Sequence, residues 1–421
     1  MFRSRQEVTL SALTLALLST LLPLAARPAQ AQTEAVVEAR ARRPTETVLH
    51  NFGGGDDGAG PVGNLTSHGG NFYGTTNEGG AFGGNGTVFE LSPNGSGGWN
   101  ETVLYTFGYN SADGTRPNSS VIFDSAGNLY GTTVYGGAVG PGVVFELSPV
   151  GTSWTETVLY SFCSQPDCAD GKNPESDLIM DAAGNLYGTT FFGGGNSGGT
   201  VFELSPSGGG WIEQVIYDAS DDIAAGVTMD AAGNIYGATS SIVFELSPNG
   251  SGGWNPSVIH AFTGAPKDGA VAAGTPVLDR AGNLYGTTER GGAKNFGAVY
   301  KLSPGKKGNW TEKILHSFKN SRADGNEPWA GVVLDADGNI YGTTVTGGKY
   351  GYRHGGYGAL FELVAPVGVG RYREKILWNF NIADGEYPYG SLILDSAGNL
   401  YGTTAEGGPD FDGGVVFKVT P

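Results

Sequence analysis

The chain has 421 residues, 73 of them glycine and 21 proline, and a formal net charge of −17. Glycine stands at more than twice its ordinary share of about 7%. There is no Gly-X-Y period, so collagen is excluded, and so are long helical bundles, because each interior glycine costs a helix about 1 kcal/mol. Hydrophobic residues at 39% and aromatics at 11% argue against disorder. So acidic a chain also speaks against nucleic acid and anionic membranes as partners.

Residues 1–31 read as a secretory signal peptide. Arg3 and Arg5 precede an apolar run from Leu10 to Ala26, and Ala29-Gln30-Ala31 offers a small-x-small cleavage site. Residues 32–43 read as a linker. The expected product is exported, periplasmic or extracellular, not inserted in a membrane, and monomeric.

From residue 44 onward the chain repeats. Tyr-Gly-Thr-Thr, once Tyr-Gly-Ala-Thr, begins at Tyr73, Tyr130, Tyr187, Tyr236, Tyr285, Tyr341 and Tyr401. Each copy carries four segments in order. A short apolar run ends in Asp, and Asp-x-x-Gly-Asn follows it, as at Asp124 to Asn128. This is hairpin chemistry, with an Asp capping its own turn and a Gly at positive φ. The first copy has Ser67 where the Asp is expected. Then come the Tyr-Gly-Thr-Thr run, a Val-Phe-Glu-Leu-Ser-Pro run such as Val144 to Pro149, and a Trp-Thr-Glu-Thr-Val-Leu-Tyr-Ser-Phe run such as Trp154 to Phe162. The last two alternate polar and apolar residues as strands do.

Four antiparallel strands in seven copies predict an all-β, seven-bladed β-propeller over residues 44–421. The final copy stops after its third segment at Val415 to Val419. Thr45 to Phe52, at the other end, matches the fourth segment. The N-terminal strand should therefore complete the last blade and close the ring, removing sheet edges.

The repeat Asp-x-x-Gly-Asn-Leu-Tyr-Gly-Thr-Thr … Gly-Gly … Gly-x-Val-Phe-Glu-Leu resembles the GloVer (Gloeo/Verruco) tandem repeat. The resemblance covers about nine tenths of the chain. It implies an exported bacterial protein and carries no catalytic residues with it.

Candidate sites lie in the loops. Cys163 and Cys168 are expected to form a disulfide in an oxidising compartment. The loop between the fourth strand of one blade and the first of the next carries Asp-Gly, at Asp57, Asp113, Asp170, Asp268, Asp324 and Asp384. A partial ring of carboxylates could hold calcium or sugar hydroxyls. The competing reading has each Asp bonding its own loop. Otherwise no cofactor or metal is expected. The histidines His50, His260 and His316 stand where other copies have Tyr or Trp, and read as packing substitutions. Recurring glutamates in the third segment read as a solvated or cross-strand-paired face. Copy six has a long loop with Lys349, Tyr350, Tyr352, Arg353, His354 and Tyr357, whose aromatics and cations suit a glycan or peptide.

The functional expectation is a non-catalytic binding module for extracellular glycan or protein. The alternatives are a propeller-fold glycoside hydrolase or lyase, and a structural cell-surface component. An enzyme should place a unique, non-repeated polar cluster at the axis, and Arg353 and His354 are the candidates for it.

Overall fold

The computed structural model describes residues 43–351, 355–409 and 413–421. The segment read as a signal peptide and nearly all of the segment read as a linker therefore lie outside the described residues. Within them, the Asp-x-x-Gly-Asn runs form the turns their chemistry demands. Asp124 Oδ1 accepts from the backbone N–H groups of Ala126 (2.8 Å) and Asn128 (2.9 Å), and Oδ2 accepts from the Asn128 amide (2.8 Å). Gly127 takes φ +90°, where a side chain would be strained. The bonds recur at Asp181, Asp230, Asp279, Asp335 and Asp395. Burial alone would raise these carboxyls; the hydrogen bonds outweigh it and hold all six below the ordinary range. The first copy differs from expectation. Ser67 sits in the ladder opposite Phe72, and Gly69-Gly70 close a hairpin one residue shorter, which removes the turn position that Asp fills elsewhere.

Each turn joins the two inner strands of a blade. In blade 2 the strands run Ile122–Phe123, Leu129–Thr133, Val143–Val150 and Ser153–Ser161 from the axis outward. The third strand buries Val144, Phe145 and Leu147 completely. Phe145 lies in register with Gly131, and a Cβ there would sit 2.6 Å from the ring tip. Every blade repeats this glycine–aromatic pair, with Tyr300 as the aromatic in blade 5. The glycine of Tyr-Gly-Thr-Thr thus makes room for the third strand of its own blade, rather than for a neighbouring blade.

On the other face of the sheet, the Tyr130 hydroxyl lies 3.2 Å from both Asp124 and Glu146. The third-segment glutamates are cross-strand partners of the tyrosines. Where Lys301 and Lys418 replace them, the ammonium stands over the Tyr285 and Tyr401 rings at 5.0 and 5.6 Å.

Seven such sheets follow one another among the described residues. The first threonine of Tyr-Gly-Thr-Thr ties its blade to the next in every copy but the fourth, which has Ala238 there. Thr75 Oγ1 donates to the Ser119 carbonyl (2.7 Å), Thr189 to Ala225 (3.0 Å) and Thr287 to Ala330 (2.8 Å). Trp211, Trp254 and Trp310 rest edge-on against Tyr130, Tyr187 and Tyr236 of the preceding blade. The ring closes as expected. Thr45–Asn51 pairs antiparallel with Val415–Thr420, from Thr45 opposite Thr420 to Asn51 opposite Val415. Thr403 Oγ1 then donates to the Gly63 carbonyl of blade 1 (3.0 Å). Cys163 and Cys168 are joined in the loop leading to blade 3. No helix of the described residues is long and apolar enough to cross a membrane.

Candidate binding site at the axial mouth

The six Asp-Gly aspartates do not converge on one point. Each sits between two blades and bonds its own loop. Asp113 accepts from the Tyr105 hydroxyl (3.1 Å) and the N–H of Gly108 (2.8 Å). Asp170 accepts from the Tyr160 hydroxyl (2.8 Å) and Ser164 N–H (2.9 Å). Asp268 takes Thr263 N–H (2.8 Å), Asp324 Gly325 N–H (2.8 Å), Asp384 Asn381 N–H (2.7 Å) and Asp57 Gly53 N–H (2.9 Å).

Across each of these interfaces stands a glutamate from the outer strand of the next blade. Burial, and then the charge of the facing Asp384, pushes Glu46 up to about 8. Burial followed by Asp57, Asp113 and Asp170 pushes Glu101, Glu156 and Glu213 up to about 7. Glu312 beside Asp268 reaches about 7, and Glu374 beside Asp324 about 9. All six glutamates keep a buried Oε1 without a hydrogen-bond donor. Blade 4 is the exception on both sides. Its loop lacks the Asp-Gly pair, and Pro256 stands where the others have Glu. There Asp221 instead accepts from Thr239 Oγ1 (2.8 Å) and Ser240 Oγ (3.1 Å) of the shortened loop.

Where it is described, the enlarged loop of blade 6 is bonded to the outer strand of its own blade. Lys349 N–H donates to the Asn379 side chain (2.9 Å), its ammonium stands 5.0 Å from the Tyr350 ring, and Tyr350 is exposed. Tyr357 packs into the core between blades 6 and 7. Tyr352, Arg353 and His354 lie outside the described residues.

What does converge is the residue just after the rim proline, or its positional equivalent. It is Val62, Asn118, Glu175, Ala224, Ala273, Trp329 and Tyr389 in blades 1 to 7. All seven line one cavity of about 290 Å³ at the axis. No two copies carry the same side chain except the alanines of blades 4 and 5. Trp329 and Tyr389 meet edge to face, 6.3 Å between centroids at 88°, and both remain part-exposed. Opposite them are Glu175, raised by burial, and Asn118, whose buried Oδ1 has no hydrogen-bond donor.

Two residues further along the chain, the polar side chains knit the floor. Asp177 accepts from Ser120 N–H (2.6 Å) and from the Asn64 amide, and Asn64 Oδ1 accepts from Ser391 N–H. The mouth therefore has an aromatic wall, an acid and an amide acceptor on a rigid polar floor. That set suits a ligand with an apolar face and several hydroxyls. Arg353 and His354, the candidates for a unique cluster, lie outside the described residues; among the described ones, the non-repeated side chains at the axis are Glu175, Asn118, Trp329 and Tyr389. The signal was in the sequence as a position just after the rim proline that changes from copy to copy.

The fold and this mouth define a closed seven-bladed β-propeller with a non-repeating axial cavity. The chain belongs to the Gloeobacter/Verrucomicrobia repeat family, whose pattern matches residues 35–168, 96–243 and 240–421. No curated protein matches it. Among solved structures it is similar to virginiamycin B lyase from Staphylococcus aureus, at 12% identity and TM-score 0.55, over 90% of this chain and 99% of the other. It is also similar to the extracellular domain of a putative hybrid two-component system from B. thetaiotaomicron, at 14% identity and TM-score 0.52. There 90% of this chain is covered but 41% of the other, so the chain spans about two fifths of that one. At such identities the likeness shows the fold alone.

Proposed function

We propose that this protein is an exported, non-catalytic binding module that takes an extracellular glycan at its axial mouth. The observation that carries the reading is the non-repeating ring of seven residues on an otherwise repeated scaffold. A propeller needs no variation there to fold, and loops held by rigid scaffolds are where recognition concentrates. Trp329 supplies a face for a sugar ring, and Asn118 and Glu175 supply acceptors for its hydroxyls. The cavity has room for a terminal saccharide rather than a long chain. The secretory reading of residues 1–31 and the Cys163–Cys168 disulfide support export to an oxidising compartment.

A glycan array followed by calorimetry tests this. The best glycan should lose at least tenfold in affinity on Trp329→Ala and retain it on Tyr350→Ala. Glycan binding that is absent, or indifferent to Trp329, contradicts the proposal.

One observation favours a second reading, a polysaccharide-active enzyme. Glu175 is the sole glutamate or aspartate at its ring position, and burial favours its protonated form, as a general acid requires. Release of reducing ends or unsaturated products, abolished by Glu175→Gln, would establish catalysis in place of simple binding.

A further inference from the structure

We propose that His316, Asp324 and Glu374 form a zinc-type divalent cation site between blades 5 and 6, and that His260, Asp268 and Glu312 form a second one between blades 4 and 5. In each cluster the imidazole nitrogen and one oxygen of each carboxylate lie within 4.8 Å of one another. His316 Nε2 is 3.4 Å from Asp324 Oδ1 and 3.4 Å from Glu374 Oε1. His260 Nε2 is 3.3 Å from Asp268 Oδ2. A tetrahedral ion with ligands at about 2.0–2.1 Å sets its ligands about 3.3–3.4 Å apart. His316 already stands at that spacing from both carboxylates of its cluster, and His260 from Asp268.

A second observation points to a missing positive charge. The Asp324 side chain is only 4% exposed, yet its Oδ2 has no hydrogen-bond donor. Glu374 Oε1 and Glu312 Oε1 are buried and equally without donors. Lys319 is a cation whose charge reaches Glu374, but it leaves that oxygen without a donor. Two carboxylates turned toward one another inside a protein need a proton or a cation between them. A histidine beside them favours the metal, because it adds a borderline-soft nitrogen to two hard oxygens. The imidazoles are held in place by edge contacts with Phe318 at 4.7 Å and Phe262 at 5.0 Å.

The other interfaces lack this set. Tyr105 and Tyr160 occupy the histidine position in blades 1 and 2 and donate their hydroxyls to Asp113 and Asp170. Trp378 takes that position in blade 6. His50 stands 3.8 Å from the more exposed Asp57, a looser arrangement. Three protein ligands leave a fourth position for water, and the imidazoles reach the surface at one edge, His316 13% and His260 19% exposed. The histidines read from sequence as packing substitutions thus carry a second role beside their ring contacts.

The test is titration of chelator-stripped full-length protein with Zn²⁺ by calorimetry, with bound metal counted after dialysis. Two ions per chain are expected, one for each cluster. His316→Tyr should remove one, and His260→Tyr with His316→Tyr should remove both, together with any zinc-dependent rise in melting temperature. These variants borrow the residue that blades 1 and 2 already carry, so the interface has a tolerated form of them. Glu374→Gln is a parallel test that keeps shape and removes the charge, and it should also remove one ion. Stripped wild-type protein that binds no zinc, or a double variant that binds as much as wild type, overturns the proposal.

Discussion

Gly131 and Phe145 show how a single side-chain absence shapes a blade. The ring occupies the volume that a methyl at Gly131 would need, so Gly131→Ala must displace a fully buried aromatic. Overpacking of this kind costs about 1–3 kcal/mol. Chemical denaturation should show that loss, and Gly131→Ala combined with Phe145→Leu should recover part of it. Gly127→Ala fails differently, through strained backbone at φ +90° in open space, and Phe145→Leu should give it no relief.

Titration is also decided at this scale. Glu46, Glu101, Glu156 and Glu213 have pKa values raised in the fold, so the folded state holds their protons more tightly than the unfolded chain does. Their contribution is complete below about 4.5 and is lost as pH rises through about 7–8. The turn aspartates have the opposite sign. Their contribution is present above the ordinary aspartate range and lost as pH falls through their depressed values. Melting temperature should therefore peak in mildly acidic solution and decline on both sides. Replacing those four glutamates by Gln should lessen the decline on the alkaline side and leave the acidic side unchanged. A profile that rises from pH 6 to 9 contradicts the assignment.

At the scale of elements, the closing strand has the clearest consequence. Thr45–Asn51 supplies the outer edge of blade 7 and pairs with Val415–Thr420 from end to end, bulging only at Leu49. Deleting residues 44–52 leaves that edge unpaired and removes Phe52 from the core it shares with Phe89 and Tyr401. The truncated chain should be insoluble or aggregated on size-exclusion chromatography; a monodisperse folded product contradicts closure by this strand. Thr403→Val is the milder form. It removes the bond to Gly63 across the seam, at a cost of about 1 kcal/mol.

Strand identity and order were legible because period-two patterning and the Asp-x-x-Gly-Asn turn recur in copy after copy. The shortened hairpin at Gly69-Gly70 was not. A one-residue change of turn length leaves composition almost untouched and shows only in the ladder opposite Phe72. Nor was the Asp–Glu pairing across blades legible, because its partners lie on different copies. One trace of it was present: blade 4 loses both members together, with Pro256 in place of Glu.

For the whole molecule, the ring turns one-dimensional repetition into a radial arrangement in which equivalent positions meet at the axis. Asp113 and its equivalents drew attention in sequence because they repeat, yet they serve the loops and interfaces that bear them. Trp329, Tyr389, Glu175 and Asn118 drew none, because each is singular and looks like noise within its own copy. Only the closed ring brings the seven variable positions to one cavity. The most direct measurement of the central claim is a difference electron-density map of crystals soaked with the best glycan from an array. The account predicts a sugar ring against Trp329 and Tyr389, with hydroxyls reaching Asn118 and Glu175. Density seated instead on the outer loops, with the axial mouth holding solvent alone, would contradict it.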